Sequence, residues 1–156
     1  MAIRRLPRDS SRGETLVELL VAMSILGVAV VALVSGIGTS VLVSDVHRKE
    51  ATAGAVVRTY GESIEAAVDA STSGYDATCA GVSAYMSPAG FVAPSGFTAR
   101  VTAISYWNGS AFVSTCSADA GVQKLSLLVT STDNRAKESL SVIIRRPCRA
   151  ADKACT

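Results

Sequence analysis

The chain has 156 residues, 49% hydrophobic but only 5% aromatic, enough for one domain with a modest core. Its formal net charge of +2 is local: Arg4, Arg5, Arg8 and Arg12 against Asp9 give the first 13 residues +3, and the rest carries 11 basic and 12 acidic side chains. The overall charge therefore gives no argument for nucleic-acid binding, and one histidine with four cysteines and no Cys-x-x-Cys pair argues against a zinc site.

The basic leader ends at Gly13, and from Leu16 to Val43 there are 28 residues with a single charge, Glu18. A hydrocarbon core needs about 20 apolar residues, so this run is long enough to cross one. The arginines precede it, while Asp45, Arg48, Lys49 and Glu50 after it nearly cancel. The positive-inside rule then puts the N-terminus in the cytoplasm and the cysteines outside. An ordinary signal peptide has a shorter apolar region, of roughly 7–15 residues. A plain signal anchor leaves Glu18 unexplained, and a carboxylate within a span is costly and by default functional. A third reading is a leader cut before the apolar run, so that the run stays with the mature chain.

The residues at that junction are Arg12-Gly13-Glu14-Thr15-Leu16-Val17-Glu18-Leu19-Leu20-Val21-Ala22-Met23-Ser24-Ile25-Leu26-Gly27. This string resembles the cleavage and methylation motif of type IV prepilins and pseudopilins, and the resemblance covers roughly residues 1–44. It implies that a membrane prepilin peptidase cuts between Gly13 and Glu14 and methylates the new amine on Glu14. Gly13, with no side chain, lets the backbone enter a narrow cleft. Cleavage creates an α-amino group that can meet Glu18 of a neighbouring subunit. That pairing neutralises the buried carboxylate and fixes the axial register, the best-attested use of buried polar contacts. The competing reading of Glu18 is a side chain that snorkels to the cytoplasmic interface. The chain departs from the family in having Glu14, not an apolar residue, after the cut. Glu14 and Glu18 are a mildly repulsive i,i+4 pair, which puts methylation and amine pairing in question more than cleavage. It also lacks a helix-bending proline, having Gly36 and Gly38 instead.

Helical periodicity continues beyond Val43. Val46, Ala53, Val57, Tyr60, Ile64, Ala67 and Val68 form one stripe, with Glu50, Arg58, Glu62, Glu65 and Asp69 largely on other faces. The spacing predicts a helix from Thr15 to about Ser71, stopped by Ser71-Thr72-Ser73-Gly74. Gly54 and Gly61 suggest close packing on a sheet. His47, beside Arg48 and Lys49, reads as an interfacial group.

Residues 74–97 are rich in Gly, Ser, Ala and Pro and read as an irregular connection. Strands are predicted at Phe97–Trp107, Ala111–Cys116, Val122–Thr130 and Leu140–Arg145, with Asn108-Gly109 as a hairpin turn. The even cysteine count suggests two disulfides. The preferred pairs are Cys79–Cys116 and Cys148–Cys155, with Cys116–Cys148 as an alternative. Arg145, Arg146, Arg149 and Lys153 form a basic cluster. A solvated strand end is favoured over DNA binding there, because no interleaved aromatic platform accompanies the charges.

The expected fold class is α+β: a long N-terminal helix, membrane-spanning then amphipathic, on an antiparallel sheet of about four strands. This resembles the pilin head. Three segments are expected: a cleavable leader 1–13, a transmembrane or filament-core helix 14–43, and a disulfide-tied head 44–156. The resemblance implies a non-enzymatic subunit of a type IV pilus-like filament, as a minor pilin, with no cofactor or metal. Its partners are other pilin subunits, prepilin peptidase and, before assembly, the cytoplasmic membrane; afterwards it belongs to a surface filament. The alternatives are a pseudopilin of a secretion or DNA-uptake machine, and a single-span anchored binding protein that never polymerises.

Overall fold

A computed structural model describes residues 16–70, 74–79 and 81–148. The chain divides into two compact units, 1–44 and 45–156.

The first unit contributes the start of helix α1 (Leu16–Ala70). Val and Leu dominate it, and two of its hydroxyls bond within the helix. Ser24 Oγ donates to the Leu20 carbonyl at 2.8 Å, and Thr39 Oγ1 to that of Ser35 at 3.1 Å. Such i−4 bonds let polar side chains sit on an apolar helix without an unsatisfied group. The helix runs through Gly36 and Gly38 without interruption.

In the second unit the remainder of α1 buries Ala53, Val56, Val57, Tyr60, Gly61, Ile64 and Val68. This is the predicted stripe. Gly61 is needed for close packing, since a Cβ there would lie 3.1 Å from Val142 Cγ2. Gly54 differs from expectation: a Cβ there would meet nothing within 4 Å. Past the helix end, a Cβ on Gly74 would fall 2.0 Å from the Ala67 carbonyl oxygen, so the chain can turn back against α1 only with glycine here.

A short 3-10 turn (Val82–Tyr85) interrupts the 74–97 connection. Strands β1 (Phe97–Trp107), β2 (Phe112–Val113), β3 (Val122–Ser131) and β4 (Lys137–Arg145) then form one antiparallel sheet of order β2-β1-β3-β4. β1 shifts register between Val101 and Ala103. Burial alternates strictly along β3, with Gln123, Leu125, Leu127 and Val129 inward. The inner face meets the α1 stripe, giving the two-layer α+β head, and the outer face is left to solvent.

Three strands differ from the predicted bounds, β3 only by ending at Ser131 instead of Thr130. β2 is two residues long instead of six, because Ser114–Cys116 leave the sheet toward a disulfide. β4 begins at Lys137 instead of Leu140, because Lys137 and Glu138 pair with Thr130 and Val129.

Candidate functional site

Of the residues predicted to act at the N-terminus, Gly13 and Glu14 lie outside the described residues. Glu18 sits in the first turn of α1. The positive end of the helix dipole favours a carboxylate there. Among the described residues Glu18 has no ion-pair partner. Around it the helix is apolar on every side, and no described residue covers it. Leu19, Leu26 and Val34 are 53%, 64% and 65% exposed, and the most apolar window has a mean hydropathy of 2.6. Hydrophobic residues all round a helix require an apolar surrounding on all sides, from lipid or from other helices. The site is therefore a surface that one chain leaves unsatisfied, with one carboxylate near its start.

The head contains the groups that hold it together on the far side of that segment. Cys79 and Cys116 are bonded, 5.7 Å apart between Cα atoms and 37 residues apart in sequence. The bond links two loops, since Cys116 lies beyond β2 and not in it. Cys148 is also disulfide-bonded. Its expected partner Cys155 lies outside the described residues. The Cys116–Cys148 alternative is ruled out by the Cys79–Cys116 bond.

A polar network reinforces the same pair of loops. The Tyr75 hydroxyl donates to both carboxylate oxygens of Asp119 at 2.9 Å. Gln123 Nε2 donates to Asp119 Oδ2 at 2.6 Å and to the Asp76 carbonyl at 2.8 Å. The Asp76 amide donates to the Tyr85 hydroxyl, and the Tyr60 hydroxyl donates to the Tyr85 and Met86 carbonyls. Burial pushes all four phenols up from their ordinary value, and hydrogen bonding to Asp119 adds to the rise at Tyr75. They stay protonated; Tyr60 and Tyr75 donate and Tyr85 accepts, which is a structural use.

Near the start of the head, Lys49 Nζ meets Asp133 Oδ2 at 2.6 Å and Asp45 Oδ2 at 2.9 Å, with Arg135 close to both carboxylates. This cluster joins α1 to the β3–β4 turn. The hydrogen bond from Lys49, then that from Ser131, holds the Asp133 carboxyl well below the usual carboxylate range. His47 is exposed and faces Glu50 at 3.3 Å, which gives it no catalytic neighbours. Among the described residues no group of three or more His, Cys, Asp and Glu comes together to hold a metal.

Half of the predicted basic cluster, Arg149 and Lys153, lies outside the described residues. Arg145 and Arg146 are exposed at the end of β4. One aromatic pair of the head meets a cation, Lys124, outside that cluster. Lys124 Nζ lies 5.1 Å from the Phe112 ring centroid, and Trp107 packs edge-on against Phe112 at 5.2 Å. That aromatic pair sits on the same sheet face as Arg145. Sequence spacing could not reveal this, because strand register creates it.

Compared with protein families, residues 8–34 match the prokaryotic N-terminal methylation motif. The match spans the end of the leader, Gly13, Glu14, Glu18 and more than half of the apolar run. No curated protein and no solved structure matches the chain.

Proposed function

We propose, from the premise that the chain is a type IV prepilin- or pseudopilin-like protein, that it is a structural subunit of a pilus-like filament assembled through the first half of α1. The observation that carries this reading is the matched motif on a helix whose apolar surface no described residue covers. A prepilin peptidase removes residues 1–13 by cutting after Gly13, leaving Glu14 as the N-terminus and as the position of methylation. Before assembly the apolar half rests in the cytoplasmic membrane, with the N-terminus inside. Afterwards neighbouring helices take the place of lipid, and the disulfide-tied head faces outward as part of a surface filament.

In this mechanism Glu18 acts by charge. Moving an unpaired carboxylate into an apolar core costs several kcal/mol or more. The amine on Glu14 of a neighbouring subunit offsets that cost only when the two helices are in one axial register, so the pair selects the register. The protein performs no chemistry of its own; the peptidase supplies the covalent step. Minor pilin is the finer role that fits. A pseudopilin would share the processing but stay within the envelope.

The test is the N-terminus of the chain purified from cells with and without the prepilin peptidase. A chain starting at Glu14 in the first and at Met1 in the second, with or without a single methyl on the mature amine, is the expected result. A chain starting at Met1 in both makes it a plain membrane anchor. A start near Gly36 makes it a secreted domain.

A further inference from the structure

The outer face of the sheet carries charge of one sign. Register places Thr98, Thr130 and Lys137 in one row, Arg100, Leu128 and Ser139 in the next, and Ser105, Lys124 and Ile143 further along, with Arg145 beside Val122. This face therefore presents Arg100, Lys124, Lys137 and Arg145. The strands' one carboxylate, Glu138, pairs with inward-facing Val129 and belongs to the other face. A solvated sheet face ordinarily mixes both signs. This one also exposes apolar surface, with Ile143 at 51% and Leu128 half-buried. A face with exposed aliphatic side chains and arginines and no carboxylate shares features of protein interfaces.

The opposite outer face of the same two-layer head is that of α1. Its last turns expose Glu62, Glu65 and Asp69 with Ala55 and Ala66 between and beside them. Glu62 and Glu65 make no ion pair among the described residues, and the last turn of the helix holds no basic residue to offset the negative end of the dipole. Alanines let another surface approach the helix closely. Arg58, one turn before Glu62, is exposed too, so the two faces are complementary in charge over the last turns of α1. Only at the β4 edge do they meet, in a groove that Glu65 and Asp69 share with Arg145.

We propose that the basic sheet face seats the outward α1 face of a second copy of this chain, with Arg100, Lys124 and Lys137 of one copy against Glu62 and Glu65 of the next. Because the two surfaces differ, the contact is heterologous: each copy keeps one free face of each kind, and the contact repeats instead of closing a dimer. The inference rests on the filament reading above and asks that copies of the chain be neighbours in the assembly.

Zero-length carbodiimide coupling of the full chain in its assembled state tests it. Within one head Lys124 and Lys137 lie across both layers from Glu62, so a peptide joining them must come from two copies. The expected result is Glu62 coupled to Lys124 or Lys137. In parallel, assembled material falls at least about tenfold in the Glu62→Lys/Glu65→Lys chain and in the Lys124→Glu/Lys137→Glu chain, and recovers when all four changes are combined. Assembled material without these cross-links and indifferent to both reversals overturns the surface but leaves the filament reading standing. Lys124 coupled solely to a different subunit overturns the choice of a second copy. Failure of the unaltered chain to appear in any assembled fraction overturns the filament reading itself and this contact with it.

Discussion

The two halves of α1 each carry large aliphatic side chains, and those side chains end in opposite states. Leu26 in the first half is 64% exposed, while Ile64 in the second is 1% exposed. Nothing in helix propensity distinguishes them. The difference is that β1, β3 and β4 turn one face toward the second half, and no described residue covers the first. A helix hydrophobic on one stripe asks for one sheet. A helix hydrophobic all round asks for an environment. The second half therefore reports on how this chain folds, and the first on what it must join.

That contrast predicts that core truncations in the head unfold it and equal truncations in the first half do not. Leu127, fully buried on β3, should cost about 2–5 kcal/mol on conversion to alanine. Leu26→Ala should leave the melting of the head unchanged. Thermal unfolding of the full chain in detergent, followed by circular dichroism, compares the two.

The next largest effect concerns the loops. Replacing Cys79 and Cys116 together by alanine should cost about 2–4 kcal/mol, the usual contribution of such a closure. Asp119→Ala comes next, at about 1–3 kcal/mol, because it leaves the Tyr75 hydroxyl without its acceptor and the Gln123 amide with the Asp76 carbonyl alone. Those groups tie the same loops as the disulfide, so the combined variant should lose other than the sum of its parts. Denaturant midpoints of the three variants measure the coupling.

The smallest effect is on pH. Asp133 has a folded pKa below its unfolded one, so its contribution is present above the unfolded value of about 3.9 and is lost as pH falls through that value toward the folded one. Lys49 is raised, chiefly by Asp133, so its share is present below about 10.4 and is lost as pH rises beyond. Head stability should be flat between these limits. Asp133→Asn should flatten the acid limb, and added salt should weaken both limbs, since the groups are near the surface. Melting temperature against pH for the two chains checks this.

Much of this architecture is legible in the sequence for identifiable reasons. The apolar run and the 3.6-residue stripe foretell α1 over Leu16–Ala70, while the expected start at Thr15 and stop at Ser71–Ser73 lie outside the described residues. Alternation and Asn108-Gly109 place the strands. The errors fall where hydrophobic pattern is silent. Lys137 and Glu138 look like turn residues yet extend β4, because they pair at a sheet edge where one side of each faces water. Ser114–Cys116 look like strand yet leave the sheet to reach Cys79. Tyr85 reads as loop, but burial and its bond with the Asp76 amide pin a turn there. Glu18 and its motif stand out because a carboxylate in an apolar run has few explanations. The basic sheet face does not stand out, because Arg100, Lys124 and Lys137 converge through register across three strands.

The central claim is that the exposed first half of α1 is satisfied by other subunits after the leader is cut. The most direct test is to shear filaments from the surface of the protein's own cells and look for this chain by mass spectrometry, comparing unaltered Glu18 with Glu18→Ala. The account predicts the unaltered chain in the sheared fraction, beginning at Glu14, and the Glu18→Ala chain cleaved but retained in the membrane. Both chains retained in the membrane, or both recovered equally in the sheared fraction, would contradict it.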